Sequence, residues 1–128
     1  MEKITLIQGE HGMELPRTTE NWVLLREYGY SPVQSLVAAA GACGAYVYQD
    51  VLKNSKIPVT FHGVELAYTR DEEQTSHPVK ELNIHFKVSV AEELQGRAER
   101  SVRLVSKYCP VIQSLSANIQ IHETVEFI

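Results

Sequence analysis

The chain has 128 residues, 44% hydrophobic and 22% charged, with a formal net charge of −4. That length fits one domain, residues 1–128, that removes roughly two thirds of its unfolded surface from water. The acidic balance offers no field to attract phosphate backbones, so nucleic acid is not an expected partner. The run from Met1 to Glu10 lacks the long apolar stretch of a secretory signal, and a cytoplasmic protein is expected.

Short strands are predicted over Lys3 to Gln8, Met13 to Leu15 and Trp22 to Leu25, with a turn at Gly9-Glu10-His11-Gly12. A helix then begins with a strong signal. Ser31 suits the N-cap, Pro32 the first helical position, and Gln34 closes a capping box, giving a helix over 32–54. It is apolar nearly all round, which predicts burial on most sides. Ser31 to Gln49 is rich in Ala and Gly and carries Gln34, Ser35 and two tyrosines, which argues against a membrane span. Gly41 and Gly44 each cost about 1 kcal/mol relative to alanine inside a helix. Close approach of another backbone is the expected return.

Beyond Pro58, Val59 and Phe61 share one parity and Val64, Leu66 and Tyr68 the other, so a bulge is expected near Gly63. Leu82, Ile84, Phe86 and Val88 alternate with polar residues and supply an antiparallel partner, making a long hairpin. Ser89 and Glu92 form a second capping-box signature, opening a helix with the apolar stripe Leu94, Ala98, Val102 and Val105 and with Glu93/Arg97 and Glu99/Arg103 pairs on its wet faces. Pro110 ends that helix, a short helical segment follows, and a last strand alternates Ile119, Ile121, Val125 and Phe127 with polar residues. The order specifies an α+β fold.

Only two cysteines are present, Cys43 and Cys109. Their separation excludes a Cys-x-x-Cys redox motif and a compact zinc knuckle, and the five histidines show no helical ligand spacing, so no metal and no cofactor are expected. In a reducing compartment two thiols are either inert core residues or a transient, catalytic or redox-sensing pair. Cys109 precedes Pro110 and thus sits at the N-cap of a short helix, where free N–H groups favour a thiolate. Cys43 is mid-helix without that benefit. Local physics therefore nominates Cys109 as the more acidic thiol.

Ala-Gly-Ala-Cys at 40–43 and Tyr-Cys-Pro-Val at 108–111 together resemble the OsmC/Ohr family of thiol-dependent hydroperoxide reductases. The resemblance covers essentially the whole chain. It implies an OsmC-like fold of antiparallel strands around a long buried helix, with a second amphipathic helix, built as an intertwined homodimer. It also implies that Cys43 attacks the peroxide, that Cys109 resolves it as a disulfide, and that a dithiol reductant or redox partner restores the pair. Family members support the attacking thiol with an N-terminal arginine and with a carboxylate ten residues before it. Here Val33 stands at the carboxylate position and Glu10 and His11 occupy the arginine's neighbourhood. Gln34, Arg26 and Arg17 are the candidate substitutes. The alternatives are a redox sensor of the same fold, or a dimer binding a small hydrophobic molecule without efficient peroxidase activity.

Overall fold

The computed structural model describes all 128 residues. In chain order the elements are β1 (Ile7–Gln8), β2 (Met13–Leu15), β3 (Trp22–Val23), α1 (Pro32–Asn54), β4 (Thr60–Arg70), β5 (Val79–Ser89), α2 (Glu92–Ser101), α3 (Arg103–Tyr108), α4 (Pro110–Gln113) and β6 (Gln120–Phe127). The chain falls into two compact units, Met1–Leu36 and Val37–Ile128, with the boundary inside α1.

The first unit holds an antiparallel sheet in the order β1-β2-β3, with Glu14 opposite both Ile7 and Val23. The predicted first strand is shortened to two residues. Its partner β2 spans only three residues before Pro16, which brings no N–H, so residues 3–6 have no ladder to join. The turn ahead of β2 is closed by the Gly9 N–H donating to the Gly12 carbonyl at 2.8 Å. Gly12 has φ of 143°, a conformation open to glycine alone among the common residues.

Helix α1 starts where its capping residues place it. The Gln34 N–H donates to Ser31 Oγ at 3.0 Å, and the Ser31 N–H donates to Gln34 Oε1 at 2.9 Å. It ends in a Schellman arrangement: the Ile57 N–H reaches the Leu52 carbonyl at 2.9 Å and the Lys56 N–H reaches Lys53 at 3.0 Å. Lys56 takes the left-handed position, with φ of 59°.

In the second unit the sheet order is β4-β5-β6. The β4–β5 hairpin is antiparallel, and its register slips between Phe61 and Gly63, where the sequence parity changes. Strand β6 departs from the expected pattern by running parallel to β5, with Ile84 opposite Glu123. Three helical segments carry the chain back across the sheet between these strands, so β6 re-enters in the direction of β5.

The inner sheet face supplies Leu82, Ile84, Phe86 and Val88, all essentially inaccessible, against Tyr48 and Leu52 of α1 and Val105 of α3. Each such side chain contributes about 1.5–3 kcal/mol by leaving water. At Gly41 the close approach is by a side chain, not a backbone: a Cβ there would lie 2.6 Å from a methyl of Leu66. Burial of α1 is also one-sided in the single chain. Ala38, Ala39, Ala42 and Tyr46 remain exposed while Ala40, Gly44, Ala45 and Tyr48 are buried.

The second capping box does not form. Ser89 stays in the ladder opposite Thr60, and its Oγ donates to the Ile128 carbonyl at 2.5 Å, so Ala91 becomes an N-cap without a side-chain bond. The expected single helix divides at Val102, where i→i+3 bonds from Val102 to Glu99 and from Val105 to Val102 tighten the turn. The stripe nevertheless faces the core, with Ala98, Val102 and Val105 buried. The Arg97 guanidinium donates to the Ser55 carbonyl at 3.0 Å instead of pairing with Glu93.

Candidate thiol site

Cys43 lies halfway along α1, followed by Gly44, which packs beside Phe86 of β5 and Val105 of α3. Cys109 occupies the single extended residue between α3 and α4, with φ of −81° and ψ of 113°. Its N–H donates to the Val105 carbonyl at 2.8 Å, and its carbonyl accepts the Gln113 N–H at 2.9 Å. The bend is thus tied on both sides. Pro110 suits it because the first helical residue has no N–H to satisfy.

The two thiols, 66 positions apart in sequence, are brought into one neighbourhood: Cys43 packs against the core that contains Cys109, near enough to act on its thiol. Both are free; Cys109 is buried and Cys43 half-buried. Burial pushes the Cys109 thiol above the usual cysteine range, and the neighbouring Cys43 adds to that, outweighing the opposing N–H groups of Ile112 and Val111. The N-cap benefit expected for the Cys109 thiolate is therefore outweighed by burial. A one-turn helix offers only partial polar compensation, and the loss of water costs the thiolate more.

Gln34, Arg17 and Arg26 all belong to the first unit. The Gln34 side chain is occupied in the α1 capping box. Arg17 and Arg26 are exposed, and the Arg17 backbone N–H donates to Asn21 Oδ1 at 3.3 Å. Of the tyrosines beside Cys43, Tyr48 is core: its hydroxyl donates to the Ala98 carbonyl at 2.6 Å and its ring packs edge-on to Phe61. Tyr46 is 69% exposed. A groove of about 420 Å³, lined by Val47, Val51, Leu104 and Tyr108 with Asp50 and Asn54, starts one helical turn beyond Cys43 and beside Cys109.

Two carboxylates escaped the sequence reading. Glu14, buried in β2, accepts the His11 N–H at 3.0 Å and Asn21 Nδ2 at 3.1 Å, and the His11 hydrogen bond leads in holding its carboxyl below the ordinary range. Glu123 sits on the β6 row shared by Ile121, Val125 and Phe127, with one oxygen accepting from Ser106 Oγ and the other buried without a partner. Burial raises its carboxyl above the usual range. A charged residue on an apolar parity was the available signal.

The family described as OsmC-like protein matches residues 25–124, which contain both thiols and the elements that place them. The chain belongs to the OsmC-like family. Among solved structures, this OsmC-like chain is similar to an OsmC-like protein from Mycoplasma pneumoniae, with a TM-score of 0.80 and 17% identity over 98% of this chain and 96% of that one. It is also similar to the organic hydroperoxide resistance protein OhrB of Bacillus subtilis, with a TM-score of 0.64 and 16% identity over 97% and 96%. A third likeness is to a protein from Legionella pneumophila described as organic hydroperoxide resistance protein OsmC and as a predicted redox protein, with a TM-score of 0.60 and 18% identity over 98% and 99%. At these identities the likeness is one of fold. No functionally curated protein matches the sequence.

Proposed function

We propose that this OsmC-like protein reduces organic hydroperoxides through Cys43 and Cys109. The observation that carries the reading is the proximity of the only two cysteines of the chain, one half-buried and packed on the core, the other buried within it. In the first step the Cys43 thiolate attacks the terminal oxygen of ROOH. The O–O bond breaks, the alcohol ROH leaves after taking up a proton, and Cys43 becomes a sulfenic acid. Cys109 then attacks that sulfur; an S–S bond forms, the S–O bond breaks, and water leaves. A dithiol reductant returns two electrons by thiol–disulfide exchange. The division of roles is the one the family resemblance implies, and access supports it: Cys43 is the less buried thiol, and the buried Cys109, held protonated, suits the second step, where its target is close by.

The apolar part of the groove at Val47, Val51, Leu104 and Tyr108 suits the organic portion of the peroxide. The reading also includes a homodimer in which the exposed row Ala39, Ala42 and Tyr46 of α1 is covered by a second copy. Consumption of cumene hydroperoxide with excess dithiothreitol tests the activity. Wild type should turn over repeatedly, Cys43→Ser should be inactive, and Cys109→Ser, given one equivalent of peroxide without dithiothreitol, should give a Cys43 sulfenic acid. Equal and negligible consumption by all three proteins would replace the enzyme by a binding protein of the same fold.

A further inference from the structure

The bend that carries Cys109 is held by two side chains that do not touch either thiol in the hydrogen-bond network. Ser106 lies one helical turn before Cys109, and its hydroxyl donates to Glu123 of β6. Its backbone carbonyl accepts Gln113 Nε2 at 2.7 Å. Gln113 thus reaches back across the bend from α4 to α3, while its own N–H binds the Cys109 carbonyl. Strand β6 is itself locked in register, with Glu123 opposite Ile84 of the buried central strand.

Glu123 is half-buried, at the edge of a groove it shares with Arg100, Arg103 and Ser106. Its neighbours on the same strand face are Ile121, Val125 and Phe127, all packed on the core, and one carboxyl oxygen is buried with no partner. A valine would satisfy the strand pattern without that loss of hydration. What the carboxyl supplies in exchange is one anchor, to Ser106. The anchor fastens the last turn of α3 to the sheet, and the Gln113 link fastens α4 to that turn. Between these two attachments sits Cys109.

We propose that Glu123 and Gln113 are positioning residues, fixing the α3–α4 bend so that the Cys109 sulfur stays against Cys43 and the disulfide closes rapidly. The proposal rests on the thiol-pair reading but concerns only the second step. Without the anchor, the bend samples orientations in which the two sulfurs are apart, and closure waits for their return.

Closure can be read without peroxide chemistry. Diamide takes two electrons and two protons from the two thiols, leaving a disulfide and the hydrazine, so it reports the geometry even if the protein does not reduce peroxides. The rate of closure is followed by the loss of free thiols, alongside the thermal midpoint and the trapping of Cys43 sulfenic acid by dimedone under cumene hydroperoxide. Glu123→Val and Gln113→Ala are each expected to slow diamide closure at least tenfold. Glu123→Gln, whose carbonyl still accepts from Ser106, should close within about twofold of wild type. If the peroxide reading holds, dimedone trapping should rise in the slow variants because the sulfenic acid waits longer for Cys109.

Closure at the wild-type rate in both slow variants would overturn the proposal. Slowing of Glu123→Gln as much as Glu123→Val would also overturn it, since the hydrogen bond would then be irrelevant. Should Glu123→Val fail to fold, the exposed Gln113→Ala decides by the same tenfold criterion. Fast diamide closure in wild type with no peroxide consumption would sink the enzymatic reading and leave the positioning role standing.

Discussion

Cys109 is acidified by a helix end and deacidified by its own burial, and burial wins. Because its folded pKa is raised, the proton it holds stabilises the fold fully below the ordinary thiol range, and that contribution is lost as pH rises through the folded value. Alkylation of Cys109 by iodoacetamide, followed by peptide mass spectrometry in Cys43→Ser to remove competing closure, should therefore be slow at pH 7 and accelerate only above about pH 8.5, the free thiol value. A rate already flat at pH 7 would mean that the Ile112 and Val111 N–H groups outweigh burial. Glu14 has the opposite sign. Its carboxyl is held low by the His11 and Asn21 donors, so its contribution is complete above the ordinary carboxylate range and disappears as pH falls through the folded value. Urea midpoints from pH 7 to pH 3 should fall less steeply for Glu14→Gln than for wild type, with the difference concentrated below about pH 4.3, the unperturbed glutamate value.

At the level of elements, α1 is well started and awkwardly ended. Its capping box satisfies two terminal groups reciprocally, and Ser31→Ala should cost about 1 kcal/mol, measured by chemical denaturation. Its C-terminus places Lys56 in the left-handed region, where a side chain costs roughly 1–2 kcal/mol that glycine avoids. The Schellman bonds of Lys56 and Ile57 are made by the backbone and survive the change. Lys56→Gly is thus expected to stabilise the protein by about 1 kcal/mol, after allowing for the greater freedom of glycine in the unfolded chain. A destabilised variant would show that the lysine side chain supplies an attachment of its own.

For the whole molecule, the exposed row on α1 decides the prediction. Tyr46 is 69% exposed beside Ala39 and Ala42, small residues that allow another surface to come close. Light scattering at micromolar concentration should give about twice 14.4 kDa for wild type and a mass near the single chain for Tyr46→Glu, since a buried unpaired carboxylate opposes association. A monomeric wild type would remove the second copy from the proposed function.

The features legible in the amino-acid order were mostly local and periodic. The boundaries of α1 were legible because Ser31, Pro32 and Gln34 act within one turn of each other, and the β4–β5 hairpin because alternation and the Gly63 parity change are short-range properties. The thiols were legible as a pair through two motifs that resemble a family's. Tertiary structure decided what depends on distant partners. The parallel entry of β6 follows from the path of three helical segments, and retention of Ser89 by its strand neighbours cancelled a plausible cap. The elevated Cys109 pKa depends on loss of water, and the use of Glu123 depends on a serine 17 positions away. Capping and alternation are written in neighbouring residues, whereas dehydration and long-range hydrogen bonds exist only once the chain has closed on itself.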